Sequence, residues 1–187
     1  MNIIIFGPPG AGKGTQAKNL VKKLNSFQVS TGDMLRAEIK KDSDIGKKII
    51  SNMNEGKFVD DGIVNKLLEN IVFDKNKMNK LIFDGYPRTL DQAKNLEILL
   101  NRSNQKIDFI FFLNVNKDSI IKRIEKRKIL EKRSDDNSET ILKRYDTYME
   151  ITKPVLQYYL KNDNFHEIDG SMEISDISQK IEEILEV

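Results

Sequence analysis

The chain has no cysteine and a single histidine, His166. The first absence excludes disulfides, thiolate nucleophiles and Cys-ligated zinc. The second excludes a metal site built from several imidazoles. Long apolar runs are missing as well. The longest strongly apolar stretches, Ile3–Phe6 and Phe109–Leu113, fall far short of the ~20 residues that cross a membrane. Met1-Asn2, four apolar residues and then Gly7 lack the basic opening and longer apolar region of a secretory signal. The expectation is a cytoplasmic chain with no membrane partner. Excess charge of one sign is absent too: 31 basic residues face 29 acidic ones, a net +2. No surplus of positive charge is left to meet a polyanion, so a general nucleic-acid binder is not expected. No internal repeat, Pro- or Ser-rich linker or low-complexity tract divides the chain, and 187 residues suit one domain. Arginine is scarce, seven against 24 lysines, so the position of each arginine carries information.

What is present reads as alternating strands and helices. Five short runs dense in Ile, Phe, Leu and Val predict buried strands: Asn2–Phe6, Phe27–Ser30, Lys80–Asp84, Asp108–Val115 and Phe165–Asp169. Helical spacing of apolar residues predicts helices over Lys13–Leu24, Leu90–Leu100, Ser119–Arg127, Glu139–Leu160 and Ile174–Leu185. The alternation predicts an α/β fold with a doubly wound, five-stranded parallel sheet flanked by helices. Two segments interrupt it. Residues 31–73 hold about three helical stretches without a strand and read as a helical insertion. Residues 128–138 are polar and read as an exposed loop, with Asp136 three residues before Glu139 as a helix start. Pro154 should kink or end the first part of the long helix.

The strongest motif is Gly7-Pro8-Pro9-Gly10-Ala11-Gly12-Lys13-Gly14-Thr15, directly after the first strand and opening the first helix. That context defines a phosphate-binding loop of the P-loop NTPase type. Glycines let the backbone approach the anion, N–H groups and the helix N-terminus present partial positive charge, and Lys13 adds a full one. Gly14 stands where Ser or Thr usually follows the lysine, so direct magnesium ligation by a loop hydroxyl is open. Asp84 ends the third strand beside this loop. It is placed to hold magnesium, directly or through water, or else to cap the turn before Gly85.

Arg36 and Arg88 follow the second and third strands, at the sheet edge where ligands bind in open α/β folds. Arg123 and Arg127 share a helix face, Arg133 is in the polar loop and Arg144 follows in the next helix. Arg102, in a stretch rich in Asn, Ser and Gln, reads as a surface residue. Arginine suits a phosphate gripped by two parallel hydrogen bonds. A nucleoside monophosphate attacks with an ionised oxygen, so phosphoryl transfer between nucleotides needs alignment and charge stabilisation but no general base. His166 accordingly reads as a structural residue.

Together these motifs resemble the adenylate kinases, within the P-loop nucleoside monophosphate kinases. The resemblance rests on Gly7–Thr15, Ser30–Arg36 (STGDMLR), Gly56–Asp61 (GKFVDD), Phe83–Thr89 (FDGYPRT), Gln92, Arg133–Asn137 (RSDDN), Arg144 and Thr152–Tyr159 (TKPVLQYY). It implies reversible transfer of a phosphoryl group from ATP, carried with Mg2+, to AMP, giving two ADP, in a monomer without structural zinc. It implies that Gly10, Ala11, Gly12, Lys13, Gly14 and Thr15 hold the ATP phosphates, that Arg123 stacks on the ATP adenine, and that Arg127 contacts ATP. A backbone contact near Gly170, Ser171 and Met172 lies on the adenine side. It implies an AMP site of Thr31, Gly32, Arg36, Lys57, Phe58, Val59, Gly85, Tyr86, Pro87, Arg88 and Gln92, with Arg36 and Arg88 on the phosphate. Arg133 and Arg144 would clamp the transferring group. Asp135 and Asp136 match carboxylates that tie a lid to its arginines. The resemblance divides the chain into a core (1–29, 60–127, 138–187), an AMP-binding insertion (about 30–59) and a short lid (about 128–137).

Three alternatives stay open at this level. A UMP/CMP kinase shares the fold, although Thr31 and Gln92 follow the adenine pattern. A GTP-binding switch needs Asn-Lys-x-Asp; Asn116-Lys117-Asp118-Ser119 departs at the last place, and Asn116 and Lys117 also read as a helix cap. A catalytically dead nucleotide-binding subunit finds no support, because every charged position that transfer needs is occupied.

Overall fold

The computed structural model describes residues 1–41, 44–55, 57–131 and 138–187. Its strands are β1 (Ile3–Phe6), β2 (Phe27–Ser30), β3 (Leu81–Asp84), β4 (Phe109–Asn114) and β5 (Phe165–Asp169). They form one parallel sheet in the order β2-β3-β1-β4-β5, the doubly wound α/β arrangement that the sequence predicts. The helices are α1 (Lys13–Leu24), α2 (Thr31–Ile39), α3 (Asp44–Asn54), α4 (Asp61–Val72), α5 (Leu90–Arg102), α6 (Lys117–Glu131), α7 (Ser138–Thr147), α8 (Lys153–Tyr159) and α9 (Ile174–Leu185).

The central strand shows why the pattern folds this way. All four residues of β1 are buried, because side chains alternate between faces and both faces are covered. Ile4 and Phe6 join Phe83 and Ile110 in a core closed by Leu68 of α4, Leu96 of α5 and Leu156 of α8. Ile3 and Ile5 join Ile82 and Phe111 in the opposite core, closed by Leu20 of α1, Ile124 of α6 and Ile181 of α9. Between β2 and β3 the described residues form α2, α3 and α4 without a strand, as the helical reading of residues 31–73 predicts.

The rim at the strand N-termini is sealed by a buried amide. Asn2 is fully buried. Its Oδ1 accepts from Leu81 N at 3.1 Å, while its Nδ2 donates to Gln105 Oε1 at 3.3 Å and to Lys106 O at 2.9 Å. Its backbone N–H donates to Asp108 Oδ2 at 2.7 Å. The opposite rim carries the phosphate loop and the β3–α5 turn.

Two helices depart from expectation. α6 starts two residues early, because Asn116 Oδ1 accepts from Ser119 N at 2.9 Å and caps it, and it runs on to Glu131, four residues into the stretch that reads as an exposed loop. The long helix expected over Glu139–Leu160 is divided by a π-helical turn at Tyr148–Thr152. Pro154 lies in the first turn of α8, where it has no N–H to return to the preceding turn. The N–H of Lys153 instead donates to Tyr148 O, so the change of register precedes the proline.

Candidate active site

The phosphate loop joins β1 to α1 beneath the C-terminal rim. Gly10 has φ 82°, and a Cβ there would stand 2.8 Å from Ile124 Cγ1. Backbone torsion and close packing therefore both require glycine. Lys13 folds back over the loop, donating from Nζ to Gly7 O at 2.7 Å and Pro8 O at 3.0 Å. Its ammonium is pushed down from 10.5 to about 7, first by burial. Asp84 opposes that fall, while the positive charges of Arg88, Arg144 and Arg127 add to it. These groups come from β3, the β3–α5 turn, α7 and α6, and all act on one amine.

Asp84 accepts from Gln28 Nε2 on β2 at 3.0 Å, through Oδ2. It is an orienting contact from the neighbouring strand. Magnesium takes oxygen ligands in few direct protein contacts and keeps several waters. A single tethered carboxylate at the loop fits that demand. Among the described residues no cluster of three acidic, His or Cys side chains forms a metal cage.

Beside the phosphate loop lies a cleft bounded by α2, the segment after α3, and the β3–α5 turn. Thr31, Gly32, Arg36, Lys57, Phe58, Val59, Gly85, Pro87, Arg88, Gln92 and Arg144 all line it, with apolar walls from Leu35, Met53 and Val64. Gly85 has φ 76°, and its carbonyl accepts from Thr31 Oγ1 at 2.8 Å and from Arg88 Nε at 2.7 Å. The Arg88 guanidinium lies 5.3 Å from the centre of the Phe58 ring. Arg36 pairs with Asp33 at 2.6 Å, and Lys57 pairs with Glu55 at 2.7 Å. Tyr86 turns inward instead: it is buried, and its hydroxyl donates to Asn65 Oδ1 at 2.8 Å. Burial pushes that phenol up to about 12. The Tyr86–Pro87 bond is cis.

Across the phosphate loop Arg123 bridges two loops. Its guanidinium donates to Gly170 O at 2.7 Å, to Ala11 O at 3.5 Å and to Ser171 O at 3.4 Å. Met172, next in line, leans on the core beneath. Arg102 pairs with Glu69 at 3.6 Å and covers the Phe73 ring, away from these groups. His166 packs near the rings of Phe109 and Phe111. Arg133, Asp135 and Asp136, and the helix start assigned to Asp136, lie outside the described residues.

Residue-by-residue reading missed several participants. Gln28 orients Asp84. Gln16, buried in α1, donates to Ile174 O at 3.0 Å and accepts from Ser178 Oγ at 2.8 Å, tying the loop helix to α9. Tyr148 and Thr152 of the π turn line the cleft. Asp61 binds Thr89 and Gln92. These contacts join residues 28 to 162 apart in sequence, a separation at which periodicity carries no signal.

Sheet order, glycine-rich loop and the half-buried loop lysine define a nucleotide-binding P-loop protein. Comparison with known sequences narrows this class. Residues 5–164 match the profile described as Adenylate kinase. The chain is 50% identical to an adenylate kinase of Pelagibacter ubique, with both chains covered in full. It is 42% identical to one of Caulobacter sp., covering 100% of this chain and 99% of the relative, and 44% identical to one of Mycoplasma mycoides, covering 90% and 91%. The chain belongs to the adenylate kinase family. The Pelagibacter alignment runs over 213 positions against 187 residues here, so that relative carries residues this chain lacks.

Proposed function

We propose that the cleft transfers the terminal phosphoryl group of ATP to AMP, reversibly, giving two ADP. The observation that carries this reading is that Lys13, Arg36, Arg88 and Arg144 line one cleft, with the charges of Asp84 and Arg127 also acting on the Lys13 amine. Such a cluster stabilises negative charge spread over a transferring phosphoryl group, and the polar groups stand ready before reaction. A general base is unnecessary, because the attacking phosphate oxygen of AMP is already ionised. The chain contains no cysteine, and His166 of β5 is engaged with the Phe109 and Phe111 rings of β4.

In this reading the loop from Gly10 to Thr15 holds the ATP phosphates, and Arg123 with the Gly170–Met172 turn borders the adenine. Arg36 and Arg88 grip the AMP phosphate, and the apolar walls with Thr31, Val59 and Gln92 take its base. Arg127, Arg133 and Arg144 align the group in flight. Asp84 would hold the Mg2+ that accompanies ATP, through water. When bound, the ion neutralises charge shared by the β- and γ-phosphates. Closure of the insertion over 30–59 and of a short lid over 128–137, with Asp135 and Asp136 tying it down, would exclude water and suppress hydrolysis of ATP. The proposed setting is a cytoplasmic monomer, as the family resemblance implies. Among the described residues no helix is long and apolar enough to cross a membrane.

The test is ADP formation from ATP-Mg with AMP, CMP, UMP and GMP offered separately. AMP is the expected acceptor, by at least tenfold in kcat/KM. Comparable rates with CMP or UMP would move the assignment to a pyrimidine kinase. The switch reading loses its signature here, since Asn116 is occupied as the cap of α6.

A further inference from the structure

We propose that Asp61 is a positioning residue that fixes the amide orientation of Gln92 and thereby the choice of purine at the acceptor site. The inference rests on the reading of Gln92 as a residue that faces the acceptor base.

Gln92 is buried and lines the acceptor cleft. Its Nε2 donates to Asp61 Oδ1 at 2.6 Å, and its Oε1 accepts from the backbone N–H of Arg88 at 2.8 Å. The other Asp61 oxygen accepts from Thr89 Oγ1 at 2.7 Å, and that hydroxyl accepts from Gln92 N at 3.1 Å. Asp61 is the first residue of α4, while Thr89 caps α5. The network therefore bolts the start of α4 to the turn that carries Arg88.

Its logic is directional. An ionised carboxylate only accepts and a backbone N–H only donates. The two partners of Gln92 therefore specify which end of the amide is oxygen. A flipped amide would set oxygen against carboxylate and NH2 against N–H, losing both bonds at a buried site where unpaired groups are costly. One N–H and one lone pair of the amide remain for a ligand, with their positions set. Adenine presents a ring-nitrogen acceptor beside its 6-amino donor, whereas guanine presents an oxygen acceptor at position 6. An amide free to flip can adjust to either base. An amide held by Asp61 and Arg88 N meets only one, and a site built to pair one pattern rejects the other strongly.

The test is a competition assay, with AMP and GMP present together under saturating ATP-Mg, so that the fraction of active enzyme cancels. Asp61→Asn leaves one accepting oxygen where Gln92 Nε2 and Thr89 Oγ1 now use two, and an amide can turn either end to Gln92, so the hold on Gln92 weakens. The expected result is about a tenfold narrowing of the AMP:GMP ratio in kcat/KM, a raised KM for AMP, and a KM for ATP within twofold of the parent. Thr89→Val removes one of the two donors on Asp61 and should narrow the ratio about threefold, giving a second reading if Asp61→Asn folds poorly. Asp60→Ala is the structural control. Asp60 caps α4 through Gly62 N and Ile63 N, so its loss should lower the melting temperature and leave the ratio unchanged. An unchanged ratio in both Asp61→Asn and Thr89→Val overturns the proposal, as does equal narrowing in Asp60→Ala. Gln92→Ala separates the underlying assumption. If it leaves the KM for AMP unchanged, the placement of the base against Gln92 fails, and this proposal falls with it.

Discussion

Gly14 and Asp84 face each other so closely that a methyl group on Gly14 would stand 3.2 Å from Asp84 Oδ2. The same oxygen is held by Gln28, so the carboxylate has little room to yield. The residue after the loop lysine is therefore small because the strand-end carboxylate occupies the space. Gly14→Ala should lower kcat with ATP-Mg about tenfold through displacement of this carboxylate. Steady-state kinetics alongside a thermal melt check it, and an unchanged kcat would show that Asp84 can move without consequence.

Arg88 sits over Phe58 and binds Gly85 O, a placement that holds the guanidinium toward the acceptor cleft. Arg88→Ala should reduce kcat/KM for AMP by about a hundredfold or more, comparable with loss of a donor that stabilises transition-state charge. ATP affinity, read by calorimetry without AMP, should change little. Phe58→Leu removes only the ring contact and should cost about threefold, in keeping with roughly 0.5–1 kcal/mol for an exposed cation–π pair. Equal losses for the two substitutions would contradict the division of roles.

The lowered Lys13 amine gives a pH dependence with a definite sign. Below about pH 7 the amine is charged in both folded and unfolded chains, and the full cost of burying that charge is present. Between about 7 and 10.5 the folded protein has released the proton while the unfolded chain still holds it. Stability therefore rises with pH across that window. Urea unfolding of the nucleotide-free parent and of Lys13→Met, at pH 6.5 and pH 9, isolates the effect. The parent should gain on the variant as pH rises, and a constant difference would refute it.

At the opposite rim, Asn2→Ala would leave the buried Leu81 N–H without its acceptor and Lys106 O without its donor. Each such orphan costs about 1–3 kcal/mol. A loss of about 3 kcal/mol in urea unfolding is expected, with kcat within twofold of the parent. A neutral substitution would mean that the rim reseals itself.

Much of this architecture is legible in the residues because its signals are local. The short Ile3–Phe6 run, closed by Gly7, reads as a strand buried on both faces, and β1 is buried throughout. Thr31, Arg36, Arg88 and Gln92, named from short motifs in a fixed order, line one cleft. Illegible features depend on contacts between distant segments. Tyr86 is named a site residue by the family resemblance, yet it is buried and its hydroxyl is held by Asn65 and Gln92 O, contacts from segments 21 and 6 residues away. The π turn at Tyr148–Thr152 precedes Pro154, and apolar spacing does not distinguish it from a continuous helix. Asp60 and Asp61 look alike in sequence. One caps its own helix and the other reaches across to α5, a difference created by packing alone.

The parallel sheet sets the Asn2 network on one rim and the phosphate loop on the other. Durability and chemistry are thereby housed in separate neighbourhoods. Amino-acid changes around Asn2 should yield heat-sensitive enzymes that work normally at low temperature, whereas changes around Lys13 should yield robust proteins that turn over poorly. Engineering this chain for heat tolerance can thus concentrate on the rim opposite the phosphate loop.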